Sequence, residues 1–281
     1  MNVKVVTDST CDLPASIIAQ YDIAVIPVYI NMDGQSHLDG VDLTREEFYE
    51  QLPGLKTPAT TSAPGPGAFV EVYDRLVAGG ATGIISIHIS PTLSNVLNAA
   101  TLAAETIKTV PVVAFDGRQI SLGTGFLVMA AARAAVEGRS LAEIVALLSE
   151  YVKRVYVVAA LDTVEFLRRS GRMSGFQSGV ASLLKIKPVL KMHDGVATSE
   201  KVRTSGRALN RLIETIAGLG PLDQLALVHT RAAEGAMALW EQTKQLFPHI
   251  ANPISVDVTP VLGAHLGPGV VGFACVTAGS E

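Results

Sequence analysis

The chain has 281 residues, a formal net charge of −4 and 48% hydrophobic residues, with a mean hydropathy of +0.36. Lys and Arg collect nowhere into the basic stripe that nucleic acid requires, so a nucleic-acid partner is excluded. The length exceeds one ordinary domain and predicts two packed α/β domains; the apolar balance suits strands covered by helices and equally permits a greasy ligand tunnel.

The chain opens almost directly on the apolar run Val3–Val6, without the regions of a signal peptide. Its most apolar helical stretch, Phe126–Val136, is too short to span a bilayer and carries Arg133. These features predict a soluble, cytoplasmic protein with no transmembrane segment. Cys11 and Cys275 have neither metal nor redox spacing and are expected to be reduced and structural.

The first half alternates β-branched runs with helical patterns, which predicts parallel strands. Strands are expected near Val3–Val6, Ile23–Ile30, Gly83–Ile89 and Pro111–Phe115. Helices are expected at Pro14–Tyr21, at Arg45–Leu52 behind a Thr44-x-x-Glu47 capping box, and at Gly67–Ala78, Leu93–Lys108, Leu122–Glu137 and Leu141–Lys153. A strand over Val155–Leu161 then opens a second unit, giving domains 1–154 and 155–281. There Lys187–Met192 and Val196–Val202 flank His193-Asp194-Gly195, an Asp-Gly hairpin signal that makes part of the sheet antiparallel. Helix Ser205–Leu219, strand Gln224–His229, helix Ala233–Leu246, strand Pro253–Val258 and strand Gly269–Thr277 complete a mixed α+β domain.

Several clusters invite chemistry. Thr60-Thr61-Ser62-Ala63-Pro64 precedes a helix, where hydroxyls and free N–H groups either bind an anion or simply cap. Ser90-Pro91-Thr92-Leu93-Ser94-Asn95 follows a strand at the carboxyl edge of the parallel sheet, where ligands of open α/β sheets collect; capping is again the alternative. Ser121-Leu122-Gly123-Thr124-Gly125 matches no nucleotide-loop spacing and reads as a tight turn with close helix packing. The stretch Asp162 to Ser174 reads as a short helix capped by Asp162 with Glu165 at its third position and ended by Gly171. Its basic end, Arg168, Arg169 and Arg172, either complements the helix dipole or forms a docking patch that Arg203 joins. His265 lies in a glycine-rich loop, as an anion donor or merely solvated.

In order, Thr7–Pro14, Thr61-Ser62-Ala63-Pro64, Ile89–Ser94, Asp162–Arg172 and His265–Gly269 resemble the DegV family, the fatty-acid-binding subunits of bacterial fatty-acid kinase. The resemblance spans essentially the whole chain. It implies two α/β domains, parallel-sheet then mixed-sheet, with an acyl chain between them, no cofactor beyond the bound fatty acid, and a role in phospholipid metabolism. It also implies a separate kinase catalytic subunit as partner, with transient membrane contact. Position by position, it implies that Thr61, Ser62, Ser94 and His265 hold the carboxylate and that Arg172 and Arg203 face the kinase. The chain departs from the family at Asn95-Val96-Leu97-Asn98 and at Ala63-Pro64-Gly65-Pro66, which bears on pocket shape. A rival reading makes Asp8 the phosphoryl-accepting nucleophile of an enzyme, although no second acidic cluster for Mg²⁺ and no nucleotide loop accompany it.

Overall fold

The computed structural model describes residues 1–172 and 186–279. The first half runs β1 (Val3–Asp8), α1 (Ala15–Gln20), β2 (Ala24–Ile26), β3 (Tyr29–Met32), β4 (Gln35–Leu38), α2 (Arg45–Gln51) and β5 (Thr60–Ser62), then α3 (Pro66–Ala78), β6 (Gly83–His88), α4 (Val96–Ala104), β7 (Val112–Asp116), α5 (Leu122–Val136) and α6 (Leu141–Tyr151). The second half runs β8 (Val155–Ala160), α7 (Glu165–Arg169), β9 (Lys187–His193), β10 (Val196–Val202) and α8 (Ser205–Ala217), then β11 (Leu222–His229), α9 (Ala233–Thr243), β12 (Ile254–Asp257), α10 (Pro260–Leu266) and β13 (Val271–Thr277).

Strands β2-β1-β6-β7 form a wholly parallel sheet, and β10-β9-β8-β13-β11-β12 form a mixed one in which only β11 and β12 run parallel. The hairpin turn between β9 and β10 has Asp194 at φ 45° and Gly195 at φ 80°, the two positive values that an Asp-Gly turn supplies at low cost. The α2 capping box is formed: Glu47 N donates to Thr44 Oγ1 at 3.2 Å, and Thr44 N donates to Glu47 Oε2 at 2.8 Å.

A third, antiparallel sheet of order β4-β3-β5 was not anticipated. The single strand expected over Ile23–Ile30 is instead two, because Pro27 has no N–H for the ladder and the chain turns there. β2 stays in the parallel sheet and β3 leaves it. Asp33 at φ 46° and Gly34 at φ 82° make the β3–β4 turn, a second Asp-Gly signal in the sequence.

The core follows from the period of the strands. On the mixed sheet, Val157, Met192, Ala226, Val228, Ala274 and Val276 join the core of the first half, whereas Val158, Leu225, Leu227, Phe273 and Cys275 pack with α8 and α9 on the other face. Helix α5 lies between the two large sheets and touches β1, β6, β8 and β13. Its glycines let it approach so closely: a Cβ at Gly123 would stand 2.6 Å from Val157 Cγ2, and one at Gly125 would stand 2.7 Å from the Cys11 carbonyl. The Ser121–Gly125 stretch is therefore helix packing. Both cysteines are free and buried.

Candidate functional site

Three elements converge where the two halves meet. Thr61 is on β5, opposite Ile30 of β3, rather than at a helix N-terminus as expected; α3 starts four residues beyond Ser62, with Gly65 as its cap and Pro66 in its first turn. Short strand pairing at the edge of the small sheet overrides the capping pattern. His265 lies in α10 and not in a loop. Pro260 presets the first turn of α10, and Gly267, at φ 74°, ends it. The helix seats against Tyr49 of α2 so closely that a Cβ at Gly263 would overlap the tyrosine ring, and Tyr49 Oη donates to the Val258 carbonyl at 3.0 Å. Ser94 sits in the turn after β6, its N donating to the Ser90 carbonyl at 3.2 Å. That turn delays α4, expected from Leu93, to Val96, with Asn95 as a cap lacking a side-chain bond.

These pieces enclose a cavity of about 260 Å³ lined by Thr61, Ser62, Ser94, Asn95, Arg172 and His265 on its polar side. Thr61 Oγ1 lies 2.8 Å from His265 Nε2, joining residues 204 positions apart. His265 is 9% exposed and its Nδ1 is buried without a hydrogen-bond partner among the described residues. Burial, then the Arg172 guanidinium, pull its pKa down to about 4, so the imidazole is neutral at physiological pH. Ser62 is exposed at the rim, its Oγ accepting from Asn31 Nδ2 at 3.4 Å.

Leu93, Ile120, Leu262 and Leu266 form a wall shared with a second, almost wholly apolar recess of about 50 Å³. It runs between α10 and the mixed sheet, against Val157, Leu190, Met192, Val228, Val258 and Val270. A polar head with an apolar recess behind it fits an amphiphile with one charged end.

The arginines separate. Arg168 and Arg169 pair with Glu165 at 2.9 and 2.6 Å on the surface. Arg172 is half-buried on the cavity wall, its Nη1 donating to the Ser170 carbonyl at 3.0 Å. Arg203 is exposed in the turn before α8 and does not line the cavity. Asp162 does not cap α7: the cap is Val164, Glu165 N takes Thr163 Oγ1 at 3.1 Å, and Asp162 pairs with Lys187. Ser174 lies outside the described residues.

Asp8 is fully buried. Its Oδ1 accepts from Thr10 N at 3.0 Å and from the Thr10 hydroxyl, and its Oδ2 accepts from His88 Nδ1 at 2.9 Å and Ile89 N at 3.3 Å. Burial works to raise its pKa, but the bonds from His88 and Thr10 outweigh it and hold the carboxyl below its ordinary value. With no lone pair free and no access, Asp8 does not serve as a phosphoryl acceptor. The chain continues from His88 Nε2 to Ser86 Oγ at 2.7 Å and from Ser86 to the Tyr73 hydroxyl at 2.8 Å. The connectivity is that of a hydrolytic triad, yet all four side chains are 0% exposed. It is an internal polar tie that holds Thr10, a cavity-lining residue the motif reading did not single out.

No helix among the described residues is long and apolar enough to cross a membrane, and no group of three metal-ligating side chains occurs among them.

The model of a family of uncharacterised proteins, the DegV family, matches residues 2–278. A DegV domain-containing protein of Streptomyces coelicolor is 34% identical over 275 residues, covering 96% of this chain and 97% of that one. Among solved structures, DegV of Bacillus subtilis, a fatty acid binding protein, has TM-score 0.89 at 31% identity over 99% of this chain and 100% of its own. A DegV lipid binding protein of Thermotoga maritima has TM-score 0.88 at 26% identity over the whole of both chains. The chain belongs to the DegV family.

Proposed function

We propose that the protein binds one long-chain fatty acid, with its carboxylate at the hydroxyl end of the main cavity and its tail in the apolar recess. The observation that carries this reading is the Thr61–His265 pair at the head of a cavity that continues into the recess. A neutral imidazole with hydrogen on Nε2 donates to Thr61 Oγ1, which frees the threonine O–H to donate to the carboxylate. Ser94, Ser62, the open N-terminus of α4 and Arg172 surround the same end, and a carboxylate leaving water needs that many donors.

The tail supplies the driving force, at roughly 0.8 kcal/mol for each buried CH₂. The two spaces together fall at the lower end of the roughly 300–1,000 Å³ usual for ligand sites, so a long chain has to widen the recess. Met192, unbranched and adaptable, is the wall residue best suited to give way. Solved relatives that bind fatty acid or lipid support the class of ligand.

Protein purified from bacteria is expected to release about one long-chain fatty acid per chain on organic extraction, read by mass spectrometry. Added fatty acid should raise the Tm of stripped protein, as a native-state ligand must. An empty extract together with an unmoved Tm would remove the proposal.

In this reading the chain is not itself an enzyme. It works in the cytoplasm, meets membranes only transiently, and presents its lipid to a separate kinase subunit that forms the acyl phosphate for phospholipid metabolism. The exposure of Arg203 supports a docking role for that residue. Arg203→Ala should leave bound lipid unchanged and lower acyl-phosphate formation with the kinase subunit; loss of lipid in this variant would contradict the assignment.

A further inference from the structure

A separate cavity of about 440 Å³ opens at the carboxyl ends of β11 and β12. These strands are the parallel pair of the mixed sheet, joined through α9, and the carboxyl edge of such a unit is where open α/β sheets gather ligands. His229 and Asp257, the last residues of the two strands, line it, and the loop after β11 and the first turn of α9 complete it. It shares no lining residue with the head-group cavity.

His229 is 6% exposed, and its two ring nitrogens have different surroundings. Nδ1 is closed off 3.5 Å from Asp257 Oδ1, which accepts from Arg231 N at 2.8 Å. Nε2 has no hydrogen-bond partner among the described residues and is not closed off, so it is the polar atom that this buried side chain turns to the cavity. The carboxylate oxygen near Nδ1 favours hydrogen there, which leaves a lone pair on Nε2. Asp257 Oδ2 is open to the cavity in the same way. Burial works to raise the Asp257 carboxyl, but His229 and the Arg231 amide outweigh it and hold the group below its ordinary value, ionised at neutral pH.

The cavity has donors as well. Helix α9 starts after Ala232 without a side-chain cap, so the N–H groups of Ala233, Glu234 and Gly235 and the positive end of the helix dipole are uncommitted. Arg231, in left-handed backbone at φ 50°, is exposed next to them. Among the described residues its guanidinium pairs with neither Asp257 nor Glu234, although all three line one cavity, and the Glu234 carboxylate has no ion pair either. Charges of opposite sign that share a cavity without touching fit a molecule that carries both. A simple anion meets two carboxylates here, a simple cation meets the guanidinium and the helix end, and a metal ion finds no group of three ligating side chains among the described residues.

We propose that this cavity binds a small zwitterionic amino acid, its carboxylate on the α9 amides and Arg231 and its ammonium on His229 Nε2, Asp257 Oδ2 and Glu234. The site is independent of the fatty-acid reading.

The test titrates L-alanine into the protein as purified, at neutral pH, followed by amide NMR shifts. Propionate and ethylammonium, each lacking one of alanine's two charged groups, are the controls. Saturable binding of alanine is expected, with a dissociation constant on the order of 1 mM, which so small a ligand allows, and with shifts centred on residues 233–235. Either control should bind at least roughly tenfold more weakly, having lost its charged hydrogen bonds at one end. Arg231→Gln and Glu234→Gln change exposed side chains, and each should weaken binding roughly two- to fivefold, the range of exposed ion pairs. An anion site would instead tighten in Glu234→Gln and a cation site in Arg231→Gln, so a gain in either variant would overturn the proposal. Asp257→Asn keeps an oxygen for Arg231 N and removes the charge, and should weaken binding by roughly tenfold. The two exposed variants decide the matter if Asp257→Asn fails to fold, and neither should alter bound fatty acid. Unsaturable shifts, a control that binds as tightly as alanine, or shifts centred on Thr61 would likewise sink the assignment.

Discussion

Thr61→Val is expected to weaken fatty-acid binding by roughly ten- to a hundred-fold, the equivalent of about 1.5–3 kcal/mol for one hydrogen bond to a buried charged group. The valine keeps the shape of the wall and removes both the donor to the carboxylate and the partner of His265 Nε2. Because Nδ1 is already unpartnered, the variant leaves the imidazole with neither nitrogen bonded. Titration of stripped protein with fatty acid measures the loss. Ser94→Ala should weaken binding at the same carboxylate, and the double variant should depart from the sum of the singles, since contacts to one group couple. Strict additivity, or a methyl ester that binds as well as the acid, would show that the head group lies elsewhere.

The same site has a pH signature. His265 is held near 4 against an ordinary 6.5. A carboxylate arriving beside it favours the imidazolium and draws the value back up, so binding takes up protons. Wild-type affinity should therefore rise as pH is lowered from 8 to 6, and a His265→Gln variant should show a flatter profile. In the unliganded protein the sign for folding is opposite. The unfolded histidine takes its proton first, so stability from this group is present above 6.5 and lost as pH falls toward 4.

Much of this architecture was legible in the residues. The strands of the parallel sheet announced themselves as apolar runs, and the Thr44–Glu47 capping box and the Asp194-Gly195 turn each carry their own local mechanism. What stayed hidden depends on partners far along the chain. Nothing local makes Thr60–Ser62 a strand; it is one because β3 offers an edge. Pro260 and Gly267 bracket α10 with a local start and stop, but the interior between them carries no helical pattern of its own, since its two marked features, Gly263 and His265, are there for Tyr49 and Thr61. The arginine run looked uniform from Arg168 to Arg172, yet Glu165 claims the first two and the cavity takes the third. The Asp33-Gly34 turn carries the same local signal as Asp194-Gly195.

Asp12→Ala should cost about 3 kcal/mol of folding stability, the lower end for breaking a buried ion pair because Arg45 is 34% exposed. Asp12, in left-handed backbone at φ 57°, ties three distant elements: Thr259 N at the start of α10 donates to Oδ1 at 2.8 Å, Ser121 Oγ at the start of α5 donates to Oδ2 at 2.5 Å, and Arg45 lies 3.6 Å away. Removing the carboxyl orphans the Thr259 and Ser121 donors and loosens the helix that carries His265, so lipid affinity should fall with stability. Urea unfolding measures it; a loss below about 1 kcal/mol would mean that the three groups find other partners.

Burial, partly offset by Arg45 and by the Ser121 bond, lifts the Asp12 carboxyl to about 6 from 3.8. Between those values the unfolded chain has released its proton while the folded chain still holds it. Stability from this group is thus greatest at low pH and declines as pH climbs from about 4 to 6. Asp12→Asn, which mimics the protonated form, should lose that decline.

The last strand among the described residues stands in the middle of its sheet. β13 is hydrogen-bonded to β8 on one side and β11 on the other, antiparallel to both, with Val271 opposite Ala160 and His229. The parallel sheet is complete once residue 116 has been added, so it can fold early as the chain is synthesised. The mixed sheet has to wait. Until residues 271–277 emerge, β10-β9-β8 and β11-β12 are separate ribbons with an open slot between them. Helix α10 immediately precedes that strand in the chain. A growing chain can therefore complete its parallel sheet well before the proposed fatty-acid site exists, and the slot is closed by the same stretch of synthesis that delivers His265.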